Sequence, residues 1–139
     1  RLDTLQAAIL LAKLEIFDEE VIARERIGAK YSKMLNKFAV TPYLAPKNTS
    51  VYAQYSIQVQ NRNELAKKLQ GCGIPTAIHY PIPLHMQPVF NRLNKNKGSF
   101  SVSEKVSERI ISLPMHPYLI NEDIVNIVNS IKNHISITL

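Results

Sequence analysis

Cysteine occurs only once in this chain, at Cys72, and glycine only four times. One cysteine excludes an internal disulfide framework and fits a reducing compartment, so a cytoplasmic location is expected. Lying between Gly71 and Gly73, Cys72 reads as a small apolar filler of a turn. Gly28, Gly71, Gly73 and Gly98 fall in neither G-x-G-x-x-G nor P-loop spacing, so no glycine-rich phosphate cradle is encoded. No G-x-S-x-G occurs, and no serine or cysteine stands in a nucleophile's context. His79, His85 and His116 lack the close H-x₃₋₅-H or C-x₂-C pairing of zinc sites, so no metal is expected. No apolar run approaches the ~20 residues that span a bilayer, and no signal-peptide pattern opens the chain, so no membrane partner is expected. A Schiff-base lysine needs a desolvated pocket or a cationic neighbour, whereas every lysine here falls on a polar helix face or in a loop. By spacing alone, the chain carries recognition groups and no chemical engine.

What is present fits one soluble domain of 139 residues, long enough to bury a core. The formal charge of +6 is dispersed over Lys30, Lys33 and Lys37, then Lys67 and Lys68, then Lys95 and Lys97. A nucleic-acid domain clusters its cations with aromatic or groove-reading elements, so these read as solvated surface and no nucleic-acid partner is expected. Phosphate-bearing small molecules stay within reach as partners. A non-enzymatic basic binding or regulatory module is the alternative class, supported by charge alone. The chain opens on Arg1-Leu2 without methionine and is at once in a helical pattern, so it is expected to be a piece of a longer polypeptide.

Leu2, Leu5, Ile9, Ala12 and Ile16 recur at steps of three and four, the seam of an amphipathic helix that Leu10, Leu11 and Leu14 widen. Such excess apolar surface predicts burial on more than one side, against a partner domain or subunit. Asp18, followed by Glu19 and Glu20, is expected to cap a second helix with Ile27, Tyr31, Met34 and Phe38 on one face. Between 51 and 60 the alternation predicts a strand with Val51, Ala53, Tyr55, Ile57 and Val59 inward. Asn63 is expected to cap a short helix with Leu65 and Leu69 buried, closed by Gly71. Beyond a helical turn or two at 86–93 and a polar stretch at 94–99, Ser101 and Glu104 form an S-x-x-E capping box. Val102, Val106 and Ile110 would be the apolar face of the helix behind it. Asn121 is expected to cap the last helix, whose Ile124, Ile127, Val128, Ile131 and Ile135 form a core stripe. His134, near that helix's C-terminus, needs no function.

The organising stretch is 73–85, GIPTAIHYPIPLH. Thr76, Ile78 and Tyr80 would face one side of a short strand, with Ala77 and His79 on the other. Pro81 and Pro83 stop that strand in stiff extended backbone. A histidine and a tyrosine are thereby fixed at a strand end, a position from which loops often present polar groups to ligands. The plain alternative is a strand ending in an ordinary loop. Strand, helix and second strand within this region make an α+β unit.

Residues 1–10 (RLDTLQAAIL), Lys13-Leu14, Arg24 and Tyr31 resemble the sugar aminotransferases of the DegT/DnrJ/EryC1/StrS family. The same family's GI-x-T-x-x-HYP-x-PLH segment is matched by Gly73, Ile74, Thr76, His79, Tyr80, Pro81, Pro83, Leu84 and His85, and its LP-M-HP element by 113–117. Within it, the chain is similar to enzymes that aminate C3 of a UDP-linked 2-acetamido-2-deoxyhexuronic acid. The resemblance implies the C-terminal small domain of a fold-type I, pyridoxal 5'-phosphate-dependent transferase: a small antiparallel sheet flanked by helices, with 1–38 a helical lead-in and 39–139 the small α+β domain. It implies that the lysine, the aspartate and the phosphate cradle of the cofactor lie in a large domain this chain lacks, leaving no catalytic or cofactor-binding residue here. The implied homodimer takes its amino group from glutamate and passes it to a keto-sugar nucleotide for surface polysaccharide or related amino-sugar biosynthesis. Arg1 would reach across the dimer to the sugar, and His79 and Tyr80 would hydrogen-bond the sugar nucleotide. His85 stands in the motif either as a substrate contact or as a structural residue.

Overall fold

A computed structural model describes residues 2–93, 95 and 97–135. Helix α1 (Thr4–Leu14) begins at Asp3, whose carboxylate accepts the Leu5 and Gln6 amides. After a two-residue turn, α2 (Phe17–Leu35) buries Ile27, Gly28, Tyr31 and Leu35. Strand β1 (Tyr55–Gln58), helix α3 (Arg62–Gly71), two 3₁₀ turns (Leu84–Met86 and Pro88–Leu93), helix α4 (Ser101–Arg109), strand β2 (Ile110–Leu113) and helix α5 (Asn121–His134) follow.

The two strands run antiparallel, with Tyr55 opposite Leu113, Ser56 opposite Ser112 and Ile57 opposite Ile111. Alternation sends Tyr55, Ile57, Ile111 and Leu113 into the core, where α5 packs against α2 and α3. Its stripe of Ile124, Ile127, Val128 and Ile131 is buried as the periodicity requires, and Ile135 packs half-buried beside it. Isolated bridges from Val40 to Gln58 and from Ala77 to Ser112 lengthen the sheet on either side. The α+β architecture with a small antiparallel sheet and flanking helices is thus the observed one.

Several local expectations are corrected. The strand expected over 51–60 pairs only at 55–58, because Tyr52 takes a left-handed φ of 40° and turns its ring inward while Val51 stays exposed. That ring lies on Gly28 of α2, where a Cβ would stand 2.9 Å from Tyr52 Cζ, so the glycine makes the approach possible. Residues 76–80 form no regular strand. Pro75 and Pro81 lack amide donors, and Ala77 alone makes the paired bridge to Ser112. Phe38 lies beyond the end of α2. Gly71 is the last residue of α3, and Gly73, at φ 75°, takes the left-handed position after it. Cys72 is exposed rather than a filler, its Sγ 4.0 Å from His134 Nε2.

No residue of α1 is buried. Leu5, Ile9, Leu11 and Leu14 are each more than 60% exposed within this chain. No described helix is long and apolar enough to cross a membrane.

Candidate functional site

The 3₁₀ turns, α4 and the segment after Ala77 enclose an open, mainly apolar cleft of about 610 Å³. His79, Tyr80 and His85 all line it, with Phe90, Phe100 and Val106 supplying apolar wall. Three of the four residues singled out in the sequence are therefore brought together. Arg1, the fourth, lies outside the described residues.

His79 is half-buried and Tyr80 is 72% exposed, their rings edge-on at 5.7 Å. His79 Nδ1 lies 3.0 Å from Ser112 Oγ, which in turn lies 2.7 Å from Ser56 Oγ. Neither serine carried a signal in the sequence. Only the β1–β2 register sets them opposite one another.

His85 is held differently. Its Nε2 lies 3.0 Å from Glu104 Oε1, its ring meets Phe100 edge-on at 4.8 Å, and both side chains of the pair are about nine-tenths buried. The same carboxylate accepts the Gly98 amide at 2.8 and 2.9 Å and the Phe100 amide at 3.2 Å. The expected capping box is thus half-formed. Phe100 is the cap residue, the Ser101 hydroxyl takes no part, and Glu104 reaches back to the N-terminal amides. Consequently α4 buries Glu104 and Ser107, while of the expected apolar face Val106 and Ile110 are half-buried and Val102 is 74% exposed. A carboxylate can be buried there because its oxygens are satisfied.

The Gly98 amide holds the Glu104 carboxyl below the usual carboxylate range, opposed by burial and helped by Phe100 and His85. Burial pushes Tyr55 up to about 12, against a lowering hydrogen bond from Ser32, and burial likewise raises Tyr31. A lowered carboxyl pKa contributes stability that is present above the unfolded value of about 4.3 and disappears as pH falls through the folded value. A raised phenol pKa contributes stability that is present below about pH 10 and disappears as pH rises towards 12. Denaturation midpoints measured against pH should therefore fall at both extremes, and Glu104→Gln should flatten the acid limb alone. An unchanged acid limb in that variant would remove Glu104 from the explanation.

Among the described residues no group of three or more His, Cys, Asp or Glu side chains is placed to hold a metal ion. Three of the described lysines are engaged. Lys30 bonds Asn121 Oδ1 at 2.7 Å, Lys68 pairs with Glu64 at 2.7 Å, and Lys132 sits 5.1 Å from the Phe38 ring centroid.

The fold defines an α+β domain whose cleft is lined by His79, Tyr80 and His85. This chain belongs to the DegT/DnrJ/EryC1/StrS aminotransferase family, whose match runs over residues 1–132. It is 45% identical over 134 residues to the UDP-2-acetamido-2-deoxy-3-oxo-D-glucuronate aminotransferase of Pseudomonas aeruginosa, covering 96% of this chain and 36% of that protein. Its fold is similar to a DegT/DnrJ/EryC1/StrS aminotransferase from Brucella abortus, with TM-score 0.90 and 44% identity over 96% of this chain and 36% of that one. It is also similar to S. venezuelae DesV, with TM-score 0.90 and 28% identity over the same shares. The chain therefore spans about a third of the length of the relatives it matches.

The family depends on pyridoxal phosphate, and the described residues do not fit that group. Every described lysine is exposed except Lys30 and Lys132, which are half-buried and engaged as given above. None occupies the dry pocket that an imine-forming amine requires.

Proposed function

We propose that this chain is the sugar-nucleotide-recognition part of a pyridoxal phosphate-dependent aminotransferase. The whole enzyme takes an amino group from glutamate and delivers it to a keto-sugar nucleotide. C3 of a UDP-linked hexuronic acid is the favoured acceptor, in keeping with the name of the Pseudomonas aeruginosa relative. Residues 1–38 lead into the small α+β domain at 39–139. The enzyme is a cytoplasmic homodimer serving surface-polysaccharide or related amino-sugar synthesis, and the cofactor is held outside this chain. One observation carries the reading. Within a family match that covers 1–132, His79 and Tyr80 stand side by side on the cleft, and His79 is fixed through one ring nitrogen.

The chain's own residues bind and orient. His79 offers its second nitrogen and Tyr80 its exposed phenol to hydroxyl or phosphate oxygens of the ligand. His85, tied to Glu104, acts on the cleft wall and through it on the ligand. Arg1 supplies a guanidinium suited to a carboxylate or phosphate. Pyridoxal phosphate supplies the group-transfer chemistry when bound by the complete enzyme.

The full-length enzyme, given glutamate and UDP-2-acetamido-2-deoxy-3-oxo-D-glucuronate, should release 2-oxoglutarate. The 139-residue chain, given the same substrates and pyridoxal phosphate, should release none and form no borohydride-trappable adduct. Absence of turnover by the full-length enzyme would refute the substrate assignment. A stoichiometric adduct at one lysine of the 139-residue chain would refute the division of labour.

A further inference from the structure

We propose that Ser112, backed by Ser56, is the positioning residue that holds the His79 imidazole in its ligand-facing orientation. The proposal rests on the reading of His79 as a contact to the sugar nucleotide.

Ser112 is 4% exposed, yet its hydroxyl lies on the sheet face opposite the apolar core. A buried hydroxyl is costly unless bonded, and this one has two partners, Ser56 Oγ at 2.7 Å and His79 Nδ1 at 3.0 Å. The backbone of the same residue fixes the segment that carries the histidine. Its amide donates to Ala77 O at 2.8 Å and its carbonyl accepts the Ala77 amide at 3.2 Å. Ser112 therefore grips the 77–79 segment at both main chain and side chain, and the imidazole cannot turn without losing a bond.

The paired hydroxyls add a property that a single acceptor would lack. When Ser56 donates to Ser112 and Ser112 donates to Nδ1, the neutral ring carries its proton on Nε2 and presents a donor. When Nδ1–H donates to Ser112, Ser112 turns its own O–H to donate a hydrogen bond to Ser56, and the ring can be neutral or cationic. A serine pair reverses direction by rotating two O–H bonds, so Nδ1 keeps its partner in each protonation state. Nε2 is left for the ligand, and no described side chain is bonded to it.

Kinetics of the full-length enzyme test the assignment with Ser112→Ala, Ser56→Ala, His79→Ala and the doubles Ser112→Ala/His79→Ala and Ser56→Ala/His79→Ala. Ser112→Ala should lower kcat/KM for the sugar nucleotide about two- to tenfold, through KM with kcat held. Ser56→Ala should act in the same direction and less. In the His79→Ala background neither serine change should matter further, because both act through the imidazole. A merely structural serine would lower the melting temperature and leave KM alone. Equal losses with and without His79 would overturn this inference while leaving the site intact. An unaltered kcat/KM in His79→Ala would overturn the site reading and this inference together. Should Ser112→Ala fail to fold, the Ser56→Ala cycle decides by the same criteria.

Discussion

His79→Ala in the full-length enzyme is expected to lower kcat/KM for the sugar nucleotide about ten- to a hundredfold, while the absorbance of the bound cofactor stays normal. Losing a hydrogen bond to a charged or strongly polar group costs about 1.5–3 kcal/mol, which corresponds to that range. The cofactor signal is spared because the substitution falls in a chain with no lysine in a dry pocket. A second effect accompanies the first. The half-buried ring leaves the Ser112 hydroxyl with Ser56 alone, so the melting temperature should drop by a few degrees at most. If His79 serves only packing, the pattern inverts, with a large drop in melting temperature beside an unchanged kcat/KM. Measuring both quantities on one preparation separates these outcomes.

The largest stability loss is expected at Tyr31, whose side chain is fully buried between α2 and the sheet. Its ring lies 5.0 Å from that of Tyr55, and its hydroxyl donates to Pro114 O at 3.0 Å. Tyr31→Ala should cost about 3–5 kcal/mol, the usual range for deleting a buried aromatic ring and leaving a cavity. Tyr31→Phe keeps the ring and forfeits the bond to Pro114, so about 1 kcal/mol is expected. Denaturant unfolding followed by far-ultraviolet circular dichroism measures both. Similar losses in the two variants would show that the hydroxyl, and not the ring, anchors this corner. Since whole domains are stable by only about 5–15 kcal/mol, the alanine variant should be close to unfolded at physiological temperature.

Core positions were readable where periodicity and burial coincide: Ile27 and Tyr31 on α2, Tyr55, Ile57 and Val59 in and just after β1, Leu65 and Leu69 on α3, and the α5 stripe. Helix starts were less so. Asp18, Asn63, Ser101 and Asn121 all lie within the first two residues of their helices, one or two positions past the caps at Ile16, Asn61, Phe100 and Ile120. Each of these polar residues has another use or none: Asn121 accepts from Lys30, and Glu104 caps α4 in place of Ser101. A side chain that reaches a distant partner looks, in sequence, like one that turns back on its own helix. In the candidate site, the His79–Tyr80 pair was legible from the prolines that follow it. The partners that fix the two histidines were not, because Ser112 and Glu104 reach them only through strand register and helix docking.

Helix α1 has eleven residues, none of them buried. Isolated helices of that length are marginal in water, since nucleation is costly and propagation gains little per residue. The Asp3 cap contributes about 1 kcal/mol, too little to hold such a helix on its own. Lasting order would have to be on loan from a surface that covers its leucines. Amide exchange along 5–14 would then act as a gauge of assembly: fast while the leucines face water, slow once they are covered. The same ten residues carry two messages, one in the pattern that makes them helical and one in the solvent that decides whether they stay so.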